Sequence, residues 1–514
     1  MTTLADSLRN ESLKADALNE KGERAYALSH LDDMVRWLYM SNTERANIIA
    51  TRRENNNYSP FDTLCTDMSR EIAREIKASA GHNASLALYG RFLAFMRDPR
   101  KGIGMRSLYR AVLADTLTEN VDLNLLVEYG RWDDLIAIED ATENEALKTR
   151  IHEFVRATLC NDDSKADLLC KWMPSENTHS KTTRRLARKW MNILHMTPKA
   201  YRKRLALGRK HMDIAEHHLH GEAVHTANYE AMPSNALSRY GNFFALKDED
   251  RFCAYVKAVC EGKAKAHTAT QNLVELYNEG KRGDSVVKSL ATIRFNELMK
   301  DADHGEVLVA IDLSGSMESY VTNKVTSRDI AESVGYFMSH TNDGEYKNLA
   351  IAFADSAEIL DFSNCQTIEQ VYSLYRNTEV GCCTRVDKVF ECLLNHILRN
   401  NLNREDVPRI LIVTDCEFDN CDYYQSTGTV MEKMQRLYAE HGVKFPKLIF
   451  WNTQNRSNTI PMCEDEKTSV LFLSGFSQNV LDMVTDDTET PKTMLVRSLL
   501  NPHWDSATGF FMHQ

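Results

Sequence analysis

Residues 306–316 read EVLVAIDLSGS, an apolar run that ends in Asp312, Ser314 and Ser316. An uninterrupted apolar run of this length predicts a strand covered on both faces, and such strands belong to parallel sheets flanked by helices. A carboxylate followed by hydroxyls at alternate positions, on the loop leaving the strand's carboxyl end, offers oxygen ligands on a pre-formed turn. A hard divalent cation requires that donor set. The stretch therefore constrains this part of the chain to an α/β sheet and marks a cation site at its edge.

At the top of an open α/β sheet the remaining ligands come from loops after other strands. Thr384 stands in EVGCCTRVDKVF just ahead of a helical pattern, and Asp415 ends RILIVTD, the next strongly apolar run. Asp and Ser are also ordinary capping and turn residues, so the strand-to-loop context is what gives the five positions specificity. Around them, strand and helix alternate. EVLVAID precedes the helical SRDIAESVGYFMSH, NLAIAFADSAEILDF gives two paired strands, and RVDKVFECLLNHIL is a helix before RILIVTD. Helix TVMEKMQRLYAEHG, strands KLIFWNT and SVLFLSG, and helix SQNVLDMV follow. This alternation predicts a doubly wound, mostly parallel sheet.

The first 300 residues carry almost no strand signal. Helical periodicity recurs in NASLALYGRFLAFMRD, MRSLYRAVLADTL, NEALKTRIHEFVRATL and SKADLLCKWM, separated by short polar breaks. Successive helices of that length predict a HEAT-like repeat array. A chain of 514 residues exceeds one core. The expected division is a helical extension over 1–80, a helical-repeat domain over 81–300 and an α/β domain over 301–514.

Charge is unevenly distributed. Residues 1–150 sum to −4, residues 151–300 to +8 and residues 301–514 to −15. From Lys181 to Lys210 there are eleven Lys or Arg and no acid. Arg184, Arg185, Arg188, Lys189, Lys199, Arg202, Lys203 and Arg204 fall within two helical patterns, the second opened by Thr197 as cap and Pro198 at the first position. An acid-free basic stretch in an otherwise acidic chain is the electrostatic footprint of a nucleic-acid contact, although solvated helix faces carry such charge too. Trp190 and Tyr201 are candidates for stacking on unpaired bases, with Trp190 read first as core.

Other constellations carry less. KGIGMR at 101–106 lacks the ending of a phosphate loop and reads as a turn between helices. His211, His217, His218, His220 and His225 read as a polar helix end, and Glu417 and Asp419 as loop or supporting carboxylates. Twelve cysteines without a paired framework fit a reducing compartment, hence a cytoplasmic protein. Cys382-Cys383 and Cys416-x₄-Cys421 lack the further soft ligands of a zinc site. No 18-residue apolar stretch spans a bilayer, and the amino terminus is too acidic for a secretory signal.

Two resemblances follow from these residues. Asp312, Ser314 and Ser316, then Thr384, then Asp415, resemble the metal-ion-dependent adhesion site of von Willebrand factor A domains. That resemblance implies direct contact of Ser314, Ser316 and Thr384 with Mg²⁺ or another divalent cation, Asp312 and Asp415 holding it through water or carboxylate oxygens, and an open position for an acidic partner. YGRWDDL (129–135), KWMPSENTHS (171–180), the run beginning RRLARKWMNILHMTPKAYRKR, and MPSNALSRY (232–240) resemble a family of viral and plant proteins akin to the TROVE-module proteins of the Ro ribonucleoprotein type. The second resemblance implies a helical-repeat domain joined to an A-type domain. It also implies binding of small noncoding or misfolded RNA with single-stranded ends, without enzymatic activity, by a monomer. A metal-dependent protein scaffold and a Mg²⁺-dependent nuclease are the competing expectations.

Overall fold

The computed structural model describes residues 17–18, 24–27, 82–98, 102, 104, 106–117, 120–212, 214–265, 273–300, 302, 305–321, 325–342, 344–415, 430–453, 459–460, 470–474 and 498–510. They pack as two compact units. The first takes the described residues of 64–227 and 496–514, the second those of 6–63 and 228–495.

In the first unit the helices run α1 His82–Arg97, α2 Arg106–Thr116, α3 Leu123–Tyr129, α4 Trp132–Ala141, α5 Glu145–Cys160, α6 Ser164–Trp172, α7 Lys181–Ile193 and α8 Pro198–His211. The polar breaks of the sequence become their caps. Asp122, Asn144, Asp163, Ser180 and Thr197 each accept a backbone N–H from the first turn that follows, satisfying donors that a helix start leaves open. Trp132 and Trp190 fill the core, Trp132 stacked on Phe154 at 5.4 Å.

The far end of the chain completes this unit. Trp504 is buried against Phe95 and Tyr129, and Arg91 donates to the Leu499 and Asn501 carbonyls. A Cβ on Gly90 would lie 2.0 Å from the Ala507 carbonyl oxygen, so α1 approaches the segment only through a glycine.

The second unit begins with α9 Ser234–Lys247, α10 Glu249–Cys260, α11 Leu273–Arg282 and α12 Ser285–Lys300. The sheet and its helices follow: β1 Val307–Asp312, α13 Ser327–Thr341, β2 Leu349–Phe353, β3 Ala357–Asp361, α14 Ile368–Asn377, α15 Val386–Asn400, β4 Arg409–Thr414, α16 Val430–Glu440, β5 Leu448–Asn452 and β6 Val470–Ser474.

The division at residue 300 expected from composition does not coincide with the packing. Helix α11 is fastened to α13 and α14. Lys281 is 6% exposed and pairs with the buried Asp329 and Glu332. Tyr277 donates to Glu332 at 3.0 Å. Gly280 leaves room for Ile368, whose Cδ1 would stand 2.6 Å from an added Cβ.

The strand order is β3-β2-β1-β4-β5-β6, with β3 antiparallel to β2 and every other neighbour parallel. Alternate residues supply two cores. Val307, Val309 and Ile311 pack with residues of α11–α14, while Leu308 and Ala310 pack with residues of α15 and α16. The chain is thus a helical unit plus an α/β unit with a mixed, largely parallel sheet covered on both faces. Chain direction along the order reverses between β1 and β4, where open α/β sheets present a crevice beyond their carboxyl ends. The helix expected at SQNVLDMV, the 1–80 extension apart from its two short strands, Cys416, Cys421, Glu417 and Asp419 lie outside the described residues. Among the described residues no helix is long and apolar enough to cross a membrane.

Candidate functional sites: an oxygen-lined loop and two basic stripes

Asp312 ends β1 fully buried. Its Oδ1 accepts the Ser314 N–H at 2.9 Å, and its Oδ2 accepts the Thr414 hydroxyl at 2.6 Å. The carboxylate therefore ties the end of β1 to the end of β4, one residue before Asp415. Ser314 and Ser316 hydroxyls stand 3.2 Å apart. Burial pushes the Asp312 carboxyl up to about 7, Asp415 adding to the rise against the hydrogen bonds from Thr414 and Ser314.

Thr384 reaches the same edge from the loop before α15. The Gly315 N–H donates to the Cys382 carbonyl at 3.0 Å, joining the serine loop to the threonine loop. Asp355, on the β2–β3 turn, accepts the Cys382 N–H at 2.7 Å, and Arg385 N–H donates to the Ala354 carbonyl at 3.0 Å. Gly381 sits at φ +94, with an added Cβ only 2.0 Å from Asp355 Oδ2. Three loops are thus pinned at one sheet edge. Ser314, Thr384 and Asp415 are buried there, and Ser316 is half-buried.

The donor set is oxygen from two carboxylates and three hydroxyls, which suits a hard divalent cation. Sequence reasoning missed Asp355. Its carboxylate and the Cys382 and Cys383 sulfurs lie within 4.8 Å of one another, and that hydrogen-bonded carboxylate pushes the Cys383 thiol up to about 11. Nothing local in the sequence links a hairpin turn to a cysteine pair 27 positions later.

The basic run proves to contain two kinds of cation. On α7, Lys181, Arg184 and Arg188 lie three or four apart on one side, Lys181 and Arg188 exposed and Arg184 half-buried, with the buried Trp190 turned away from them. On α8, Lys199, Lys203 and Lys210 share another face, away from buried Tyr201, Leu205 and Gly208. These six have no acidic partner among the described residues. The other five are engaged. Arg185 pairs with Asp140, whose carboxyl that contact holds below the usual range. Lys189 pairs with Glu139 and Asp140, and Arg202 with Glu176.

Arg204 donates to the Leu159 and Asn161 carbonyls at the end of α5, and Arg209 to the Cys170 and Met173 carbonyls at the end of α6. Both guanidiniums satisfy carbonyls that a helix end leaves open and sit at the negative end of its dipole. Of the eight RNA candidates, then, Arg184, Arg188, Lys199 and Lys203 have no partner among the described residues, and Arg185, Lys189, Arg202 and Arg204 hold the fold.

Neither stacking candidate is available. Trp190 is buried, and Tyr201 is 1% exposed with its hydroxyl donating to the Pro174 carbonyl. His211 ends α8, and the rest of the histidine cluster lies in or between the short 3₁₀ turns that follow. His218 Nδ1 lies 3.1 Å from the Ala223 carbonyl, and His211 Nδ1 lies 3.2 Å from Asp167.

By fold and edge loops, the second unit is of the class of α/β domains with a switch-point crevice. Residues 306–498 match a family model described as a domain of unknown function (DUF7788), and residues 148–289 match another described as a domain of unknown function (DUF2828). An uncharacterized protein of Acanthamoeba polyphaga mimivirus is 23% identical over 516 residues, covering 89% of each chain. Among solved structures, the crystal structure of the Deinococcus radiodurans RO (RSR) protein overlaps 87% of this chain and 99% of its own, at 14% identity and a TM-score of 0.41. That overlap is too loose to establish a common fold.

Proposed function

We propose that this protein is a non-enzymatic RNA-binding protein on the plan of the Ro ribonucleoproteins, a HEAT-like helical array joined to an A-type domain. RNA lies along the α7 and α8 stripes, with Lys181, Arg184, Arg188, Lys199, Lys203 and Lys210 on its phosphates. The observation that carries this reading is that these six cations, five of them exposed and Arg184 half-buried, have no acidic partner among the described residues, in a run whose other cations are all engaged. Phosphates are the natural partners of such a surface, and stripes that contact only the backbone suit small noncoding or misfolded RNA of varied sequence.

In the same proposal Asp312, Ser314, Ser316, Thr384 and Asp415 hold Mg²⁺ or a similar divalent ion. Such an ion would offer an open coordination position to a carboxylate of a protein partner. The non-enzymatic reading is supported by Asp312, whose two oxygens are engaged by Ser314 and Thr414, so it positions loops instead of bridging two metals. The protein is read as a cytoplasmic monomer.

Retention on polyuridine, measured for the wild type and for Arg184→Glu/Arg188→Glu/Lys199→Glu/Lys203→Glu, tests the reading. Loss of retention with unchanged helicity is expected, and unchanged retention would remove the proposal. Metal-dependent shortening of RNA that Asp415→Ala abolishes would make the protein a nuclease instead.

A further inference from the structure

The YGRWDDL segment is not part of either site above, yet it organises a cluster of four arginines and two aspartates in the first unit. Gly130 allows Asp134 to fold back, since an added Cβ would stand 3.0 Å from Asp134 Oδ2. Asp134 receives Arg97 Nε at 2.8 Å and Arg110 Nε at 2.6 Å. Asp133 is approached by Arg110 at 2.7 Å, Arg131 at 3.2 Å and Arg106 at 4.0 Å.

Four guanidiniums thus share two carboxylates, and the sharing leaves donors over. Arg97 is 4% exposed, and its Nη2 is buried with no hydrogen-bond partner among the described residues. Leaving a charged donor unsatisfied in the interior costs more than an ordinary hydrogen bond returns. Arg106 is half exposed, and its one contact to an acid is the longest of the set. Arg131 Nε is buried with no hydrogen-bond partner among the described residues, and its guanidinium lies over the Trp172 ring at 4.4 Å, which fixes its plane. The Arg106 guanidinium is held below its ordinary range by burial and then by Arg110 and Arg131, against Asp133 and Asp134.

We propose that Arg97, Arg106, Arg110 and Arg131 form a binding site for a phosphomonoester group. The residual charge matches a phosphate dianion, and planar guanidiniums bind phosphate oxygens in pairs. Gly130, Asp133 and Asp134 are positioning residues. The site stands apart from the α7 and α8 stripes and does not depend on them. Its ligand is either a free nucleotide or the phosphorylated end of an RNA strand.

Titration calorimetry on the full chain with inorganic phosphate and with adenosine monophosphate is the test. A single saturable site is expected for each, weakened at least tenfold in Arg106→Ala/Arg131→Ala and unchanged in Lys199→Ala/Lys203→Ala. Arg106 and Arg131 are the more exposed members, so the double variant should keep its fold, checked by circular dichroism. Preference for a 5′-phosphorylated over a 5′-hydroxyl oligonucleotide, lost in the double variant, identifies a strand end, and nucleotide binding without that preference identifies a free nucleotide. Absence of saturable binding to both phosphate and nucleotide, or equal binding by the double variant, overturns the proposal.

Discussion

The Asp312 loop and the α7–α8 run are both lines of chemically loaded residues, but their functional members are selected differently. In the loop the residues that matter are set by local geometry. A strand end, a turn and alternate hydroxyls place the Ser314 and Ser316 hydroxyls 3.2 Å apart and the Ser314 N–H on the Asp312 carboxylate, which Thr414 reaches from afar. On the helices selection is made by the neighbours. Asp140 from α4, Glu176 from the loop before α7 and the end carbonyls of α5 and α6 engage five of eleven cations. The lesson is that a basic run measures supply, and only the tertiary structure shows what is left over for a ligand.

That contrast between engaged and free cations can be broken most severely at Lys281. Lys281→Met leaves the buried Asp329 with only Arg282 at 3.5 Å and leaves Glu332 to Arg328 at 2.9 Å, and since removal of one partner of a buried pair costs ~3–5 kcal/mol, a loss toward the lower end of that range is expected. Urea unfolding of the second unit measures it. The same variant has a pH signature. Burial alone would raise the Asp329 carboxyl, but Lys281 brings it below its ordinary 3.8. A carboxyl lowered in the folded state adds stability above pH 3.8 and loses it as pH falls further. In Lys281→Met the acid limb of the stability curve should move to higher pH; an unmoved limb would deny the pair its role.

A smaller loss is expected at Arg209. It donates to Cys170, Met173 and Ser175, and charge-assisted bonds contribute ~1.5–3 kcal/mol each at most, so Arg209→Ala should cost about 2 kcal/mol in thermal or chemical unfolding. Asp312→Ala strips the acceptor from the Thr414 hydroxyl and the Ser314 N–H and should cost ~1–3 kcal/mol. It should also abolish Mg²⁺ binding measured by calorimetry. A variant of full stability that binds Mg²⁺ as before would separate Asp312 from the site. Smallest of all is Lys203→Ala, an exposed, unpaired side chain whose removal should stay within ~0.5 kcal/mol of wild type while weakening retention on RNA.

Much of the α/β unit was legible, because its signals are short-range. EVLVAID and RILIVTD became β1 and β4 at the centre of the sheet, the paired strands 349–353 and 357–361 formed as expected, and the apolar alternation put opposite faces against separate helix layers. Thr197 and Pro198 marked the start of α8. What the sequence concealed was long-range. The fastening of α11 to α13 depends on Lys281 meeting acids 48 and 51 positions later, so the expected divide at residue 300 fell inside a unit. Trp504 closing on Phe95 is equally invisible from either segment alone. Tyr201 was a plausible stacking residue by type, but its position on the inner face of α8 buries it. Asp355 had no local pattern to mark it.

The central claim is that outward, unpaired cations bind RNA and engaged ones do not. The salt dependence of polyuridine affinity tests it most directly, comparing wild type with Arg184→Gln/Arg188→Gln/Lys199→Gln/Lys203→Gln and with Arg185→Gln/Arg202→Gln. Each phosphate contact on a single strand contributes about 0.7 to the slope of log affinity against log salt. The account predicts that the first set lowers the slope by between two and three units and that the second leaves it near the wild-type value. Equal slopes for wild type and the first set, or a larger drop in the second, would contradict it.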